Sequence, residues 1–247
     1  MLKKIHNVDI IAMYNCEMKG VNGLKGITVR ELFALTDTLA APLLESAGCP
    51  FEILGRISEY IKKTGPRLDP GIYEQKGDNV WIAKSAVVSP SASISGPCII
   101  GERTQVRHCA FIRGSALVGN DCVVGNSTEL KNVILIGSVQ VPHYNYVGDS
   151  VLGFHSHMGA GAITSNVKSD KSPVVIKSGS ERLETGLKKV GAFLGDYAEI
   201  GCGAVLNPGT VIGKNTSVYP LSFVRGVIPE NSIYKNSGEV VTKRHEC

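Results

Sequence analysis

Aromatic side chains are scarce, at 6% of the chain, and tryptophan occurs once. A core filled by large rings is therefore excluded, and small aliphatic residues must do most of the packing. No CxxC pair occurs, and the seven cysteines fall at 16, 49, 98, 109, 122, 202 and 247. An odd count without paired spacing excludes a zinc knuckle and a disulfide framework. Blocks of like charge are missing. The 26 basic and 22 acidic residues are interspersed, the net charge is +4, and no nucleic-acid footprint is indicated. Long apolar runs are missing too. The opening "MLKKIHNVDIIAMYN" is too short for a membrane span and lacks a signal-peptide core. The expectation is a reduced, cytoplasmic chain with no membrane span.

What is present is glycine, 28 of 247 residues, and a strict period. From Ile82, steps of six land on Val88, Ile94, Ile100, Val106, Ile112, Val118, Val124, Leu130 and Ile136, all aliphatic. Four positions after the first eight of these stand Ala86, Ala92, Cys98, Thr104, Ala110, Ala116, Cys122 and Thr128, all small. Six is not a helical period, but it fits a parallel β-solenoid of hexapeptides. Each hexad gives a short strand and a turn, three hexads close a triangular coil, and coils stack about 4.8 Å apart.

The pattern returns as Leu194, Ile200, Leu206, Ile212, Val218 and Val224. Leu152 follows Ile136 by sixteen residues, which is not a multiple of six, so a slip is expected within "QVPHYNYVGDS", 140–150. Such a slip would turn His143 outward. A second interruption, near 165–189, is polar and lysine-rich and reads as a protruding loop. Residues 1–78 lack the hexads. Within them "TVRELFALTDTLAAPLLESAG" and "PFEILGRISEYIKKTG" read as helices, the second with Phe51, Leu54, Ile57 and Ile61 on one face. The division expected is a helical cap over the first coil, 1–78, and an all-β solenoid, 79–247.

Arg113 and Lys131 occupy the position after an inward aliphatic and are eighteen residues apart, one full coil. They should stack on one face, where two cations repel unless an anion lies between them. Arg107 has the same position, so a solvated basic face is the plain alternative. His143, His155 and His157 raise the question of a metal, but no carboxylate or cysteine completes a ligand set, and none is expected.

The stretch 113–166 carries, in order, an Arg, E-x-K (129–131), H-x-x-Y-x-G-D (143–149) and G-A-G-x-I-x-x-N (159–166). This resembles, without a gap, the acetyltransferase domain of the bifunctional N-acetylglucosamine-1-phosphate uridyltransferases, which are left-handed β-helix acyltransferases. A weaker likeness runs through "TGLKKVGAFLGDYAEIGCGAVLNPGTVIG". No G-x-G-T-R-M stretch occurs near the N-terminus, so the uridyltransferase chemistry is not expected. The resemblance implies a left-handed helix, a homotrimer with sites between subunits, and acetyl transfer from acetyl-CoA to the amine of an amino-sugar phosphate.

In that reading His143 is the general base and Asn166 contacts the sugar near the reacting amine. Arg113, Lys131 and Tyr146 bind the phosphate, with Lys171 a loose counterpart of a further lysine. Ala160, Cys202 and Pro220 fall on acetyl-CoA contacts. His157 stands where the family has a sugar-binding Asn, and Val167 where it has a Tyr; both departures bear on the sugar, not on the base. Two alternatives stay open: an acceptor already linked to a nucleotide, and a catalytically silent solenoid that binds a sugar nucleotide or a partner.

Overall fold

The computed structural model describes residues 24–244. The opening stretch read as neither signal nor span, with Cys16, and Cys247 at the other end lie outside them. From Val80 the chain winds as a parallel β-solenoid with three faces. Face one stacks eight strands, from Val80–Ala83 through Cys98–Ile100 and Ala116–Val118 to Val227–Ile228. Face two runs from Val87–Val88 to Ser232–Tyr234, where Val240–Thr242 adds an antiparallel edge. Face three runs from Ser93–Ile94 to Phe223–Val224. The aliphatic column and the small column both point inward, so Ile100, Val106, Ile112, Cys98, Ala110 and Ala116 share one core. The thiols of Cys98 and Cys122 are pushed up to about 12 by burial, so both act as small apolar fillers.

Two slips occur, one before the expected stretch and one inside it. Leu130 sits eighteen residues after its partner Ile112, but Ile134 sits seventeen after Leu117, so one residue is lost between Leu130 and Val133. A second is lost between Val147 and Ser150, because Val151 again follows Ile134 by seventeen. The regular corner before them has two left-handed residues, Gly114 (φ +91°) and Ser115 (φ +50°). The shortened corners have one each, Asn132 (φ +54°) and Asp149 (φ +49°). With less of a turn the strands run through, as Glu129–Leu135 and Tyr146–Leu152, and faces one and three merge into one sheet. Leu135 rather than Ile136 then points inward, and Ile136 joins the outer apolar cluster. The hexad Val141 to Val147 is regular, and His143 is exposed because it lies at an ordinary outward position.

The N-terminal segment meets the first coil at Trp81 and through the strand Tyr73–Gly77, antiparallel to Val80–Ala83, but its helices are not confined there. Its buried residues, among them Leu32, Leu44, Ile53, Ile57 and Ile61, pack along the outside of face one. There the middle residue of each strand forms a second apolar column: Trp81, Ile99, Leu117, Ile134, Val151, Phe193 and Val211. At the first coil, Ile82, Ala92 and Ile94 instead line an open cavity of about 460 Å³. The expected helix 28–48 is two short ones, Val29–Leu32 and Ala41–Glu45. The expected helix from Pro50 is a 3₁₀ turn, Pro50–Arg56, running into Ile57–Thr64. Phe51, Leu54, Ile57 and Ile61 are all buried.

The segment 165–189 does not protrude freely. It forms a hairpin, Val175–Ser178 with Glu181–Glu184, and buries Val174 and Ile176 in the same outer cluster. Asp196 ties the helical segment down. Its carboxylate accepts from the N–H of Ala34 (2.6 Å) and of Phe154 (2.8 Å). Burial raises its carboxyl above the usual carboxylate range, against the pull of those two donors. Among the described residues no helix is long and apolar enough to cross a membrane.

The outer column yields a test. Phe193 is fully buried by this cover. Phe193→Ala is expected to cost about 3–5 kcal/mol in denaturant unfolding. A cover confined to the first coil would leave the position exposed and the cost near zero.

Candidate active site

Two edges of the solenoid carry the residues singled out in the sequence. On the edge between faces two and three, His143, Ala160, Cys202 and Pro220 each stand two positions after an inward residue: Val141, Met158, Ile200 and Val218. Backbone bonds stack them coil on coil. The Gly161 N–H donates to the His143 carbonyl (3.0 Å), Gly203 to Ala160 (2.8 Å) and Leu221 to Cys202 (2.9 Å). The His143 ring is exposed and makes no hydrogen bond or ion pair among the described residues. The N–H of Ala160, one coil on, likewise meets no acceptor among them.

A buried side chain that the sequence reading missed holds this edge. Asn145 is 2% exposed. Its Oδ1 accepts from the His143 N–H (3.1 Å), and its Nδ2 donates to the carbonyls of Gly159 (2.8 Å) and Ala162 (3.0 Å). One amide therefore fixes His143 relative to the turn that carries Ala160. The signal was in the sequence: Asn145 fills the small-residue column, where a larger polar group needs partners to be buried.

At the opposite end of face three, on its edge with face one, lies the second group. Arg113, Lys131, Tyr146 and Asn166 converge here. The two cations do not face each other across a vacant anion position. Arg113 pairs with Glu129 at 2.7 Å, and Lys131 pairs with Asp149 at 3.1 Å. Asp149, 3% exposed, also accepts from Asn132 Nδ2 (2.8 Å) and Asn166 Nδ2 (2.5 Å). Asn166 donates as well to the Tyr146 hydroxyl (3.2 Å), and burial pushes that phenol above its ordinary range. Glu129, Asn132 and Asp149 were not foreseen as partners.

Two expected residues join neither group. His157 lies on face two, its Nδ1 2.9 Å from Glu199 Oε2. Lys171 is exposed in a turn closed by its own N–H to the Lys168 carbonyl (3.0 Å). His155 stacks on Tyr197 with centroids 5.6 Å apart, and no set of three or more metal-ligating side chains forms among the described residues.

No protein-family model matches the chain. It is 30% identical over 200 residues to a bifunctional protein GlmU of Methanococcus maripaludis strain C5, covering 80% of this chain and 48% of that protein. It is 32% identical over 105 residues to a bifunctional sugar-1-phosphate nucleotidylyltransferase/acetyltransferase of Sulfurisphaera tokodaii, covering 42% and 26%. With an uncharacterized acetyltransferase, YaiX, of Escherichia coli O6:K15:H31, identity is 32% over 175 residues, 64% of this chain and 75% of that one. The chain thus spans between 26% and 48% of the length of the bifunctional relatives it matches. Among solved structures, PerB of Caulobacter crescentus, in complex with CoA and GDP-perosamine, is 20% identical with a TM-score of 0.35, over 66% of this chain and 56% of that one.

The amide bridge can be tested alone. Asn145→Ala removes the acceptor of the His143 N–H and the side-chain donor to the Ala162 carbonyl, while the Gly159 carbonyl keeps the Ala162 N–H, and is expected to destabilise the chain by about 1–3 kcal/mol in denaturant unfolding. An unchanged midpoint would mean that the bridge contributes nothing.

Proposed function

The chain belongs to the hexapeptide-repeat acetyltransferases, and on that premise we propose that it moves an acetyl group from acetyl-CoA to the amine of an amino-sugar phosphate. One observation carries the reading: His143, with an unengaged ring, and Ala160, with an unengaged N–H, stand on consecutive coils of one edge. His143 takes the proton from the amine as its nitrogen attacks the thioester carbonyl. The carbonyl oxygen gains the charge, and the Ala160 N–H donates to it. Collapse expels CoA thiolate, and the proton on His143 is available to it. Cys202 and Pro220 continue the same column and suit the remainder of acetyl-CoA. No metal has a part in this scheme.

Arg113, Lys131, Tyr146 and Asn166 lie one strand away and suit the acceptor. The resident pairs support this assignment, because a side chain already held in place loses less freedom when a ligand arrives. They also favour the second reading, a nucleotide-linked amino sugar. A dianionic sugar phosphate would meet the Glu129 and Asp149 carboxylates beside its cations. A diphosphate diester carries less charge on each phosphorus. His157 and Lys171 would reach either acceptor only in an assembly, and a homotrimer with sites between subunits supplies one.

His143→Ala removes no inward side chain, so the fold should persist. Acetyl transfer, followed as free thiol from acetyl-CoA with a panel of amino-sugar acceptors, is expected to fall about 10²–10⁴-fold. Near-wild-type turnover in folded His143→Ala would return this residue to the status of a turn histidine. In sedimentation at micromolar concentration the chain is expected as a trimer, and a fully active monomer would end the shared-site assembly.

A further inference from the structure

The corner residues of the edge between faces two and three form a column of their own. Cys109, Ser127, Tyr144, Gly161, Gly203 and Leu221 occupy it, and all are left-handed, with φ between +52° and +70°. Four of the six carry side chains, so this corner does not itself demand glycine. Two of those side chains are large and stand in solvent: Tyr144 is 65% exposed and Leu221 79%. Between them come the two glycines, next to Ala160 and Cys202. The Tyr144 N–H donates to the Asn126 carbonyl (2.9 Å), which fixes its corner one coil before Gly161.

The two glycines are not equivalent. A Cβ on Gly203 would come within 2.8 Å of Leu221 Cδ2, so the leucine leans back over that corner. A Cβ on Gly161 would meet nothing within 4 Å, so the Tyr144 ring does not lean over it. What remains is an open notch one coil wide, with Tyr144 as one wall and Leu221, laid over Gly203, as the other. It adjoins the unengaged Ala160 N–H.

On the reading proposed above, the thioester oxygen meets that N–H and CoA continues past Cys202 and Pro220. The other two substituents of a planar carbonyl carbon point apart. With sulfur toward the later coils, the acyl carbon points toward the earlier ones, into the notch and at Tyr144. Coils lie about 4.8 Å apart, and carbon atoms pack no closer than about 3.5–4 Å. The difference, about 1 Å, admits the first acyl carbon and sets a longer chain against the ring.

We propose that Tyr144 is a specificity-determining residue that restricts the donor to a short acyl group, with the methyl of acetyl-CoA seated at Gly161. This rests on the course of the donor along Ala160, Cys202 and Pro220, and not on proton transfer by His143. Calorimetric titration of the full chain with acetyl-CoA and, separately, with butyryl-CoA reads it without turnover. Wild type is expected to bind butyryl-CoA at least about 10-fold more weakly, because the added carbons meet the ring. Tyr144→Gly suits the left-handed corner and removes no buried side chain, and it should bring the two affinities to within about threefold. Leu221→Gly, at the opposite wall, should leave the wild-type preference in place. Gly161→Ser fills the notch with the residue that holds the same corner at position 127. It should weaken acetyl-CoA about 10-fold and free CoA, which has no acyl group, by less than about threefold. That variant carries the test should Tyr144→Gly fold poorly. If wild type binds neither thioester, the donor edge itself is wrong and the inference goes with it. If wild type binds both equally, if Tyr144→Gly keeps the wild-type preference, if Leu221→Gly abolishes it, or if Gly161→Ser weakens CoA as much as acetyl-CoA, the donor edge stands and the role of Tyr144 is overturned.

Discussion

A coil of hexads closes because each of its corners turns by the same amount, and removing a residue from a corner forces the two adjoining strands to run straight through. This constraint shapes the acceptor end of the site. The corners at Asn132 and Asp149 are each one residue short and lie on consecutive coils. Their merged strands, Glu129–Leu135 and Tyr146–Leu152, bring Lys131, Asn132 and Asp149 to one point on the edge, and Asn166 arrives from the next coil. Asp149 is buried there because three donors surround it, which is the condition for burying a carboxylate at all. The hairpin excursion starts at the very next corner. Every departure from the six-residue period between Ile82 and Val224 therefore falls on this one edge, and the other two edges stay regular.

Regularity elsewhere is what makes the His143 edge useful. A stacked solenoid satisfies most of its backbone groups through parallel ladders, and the N–H groups left over fall at exposed corners, as at His108, Ala160 and Cys202. Ala160 offers one, and the Asn145 amide holds its turn against the strand that carries His143. The helical segment, packed along face one through Leu117, Ile134 and Phe193, stiffens the coils from outside without crossing either edge. Rigid support and exposed corners are therefore assigned to different faces.

Much of this was legible in the sequence. The inward column and the small column follow from counting in sixes; His143, Ala160, Cys202 and Pro220 came only from the resemblance, since His143 and Ala160 are seventeen residues apart. Only one of the two slips was foreseen, for a physical reason. Ile136 is aliphatic and continues the count, yet once a corner shortens Leu135 takes the inward place and Ile136 still finds an apolar partner outside. The helical cover was misplaced because a second apolar column, Trp81, Ile99, Leu117 and their successors, went uncounted beside the first. The carboxylates were missed because Glu129 and Asp149 lie sixteen and eighteen residues from the cations they meet, a distance that becomes contact only when the coil closes.

The charge arrangement ties these points together. A pair of bare cations on one edge would repel and drift, and each would have to be fixed by the ligand it binds. Here Arg113 is held by Glu129 and Lys131 by Asp149 before any ligand is present, so their orientation belongs to the fold. The same pairing lowers the net field that an anion meets, so it trades attraction for geometry. At Arg225, after which face three has no further strand among the described residues, none of those residues pairs a carboxylate with it and the balance tips the other way: the ring of Phe223 supplies the orientation and the charge has no partner among them. The motif F-x-R-G, at 111–114 and 223–226, thus yields an oriented but neutralised cation in the middle of the stack and one oriented by its ring alone near the end, and the difference arises from whether another strand of face three lies beside it.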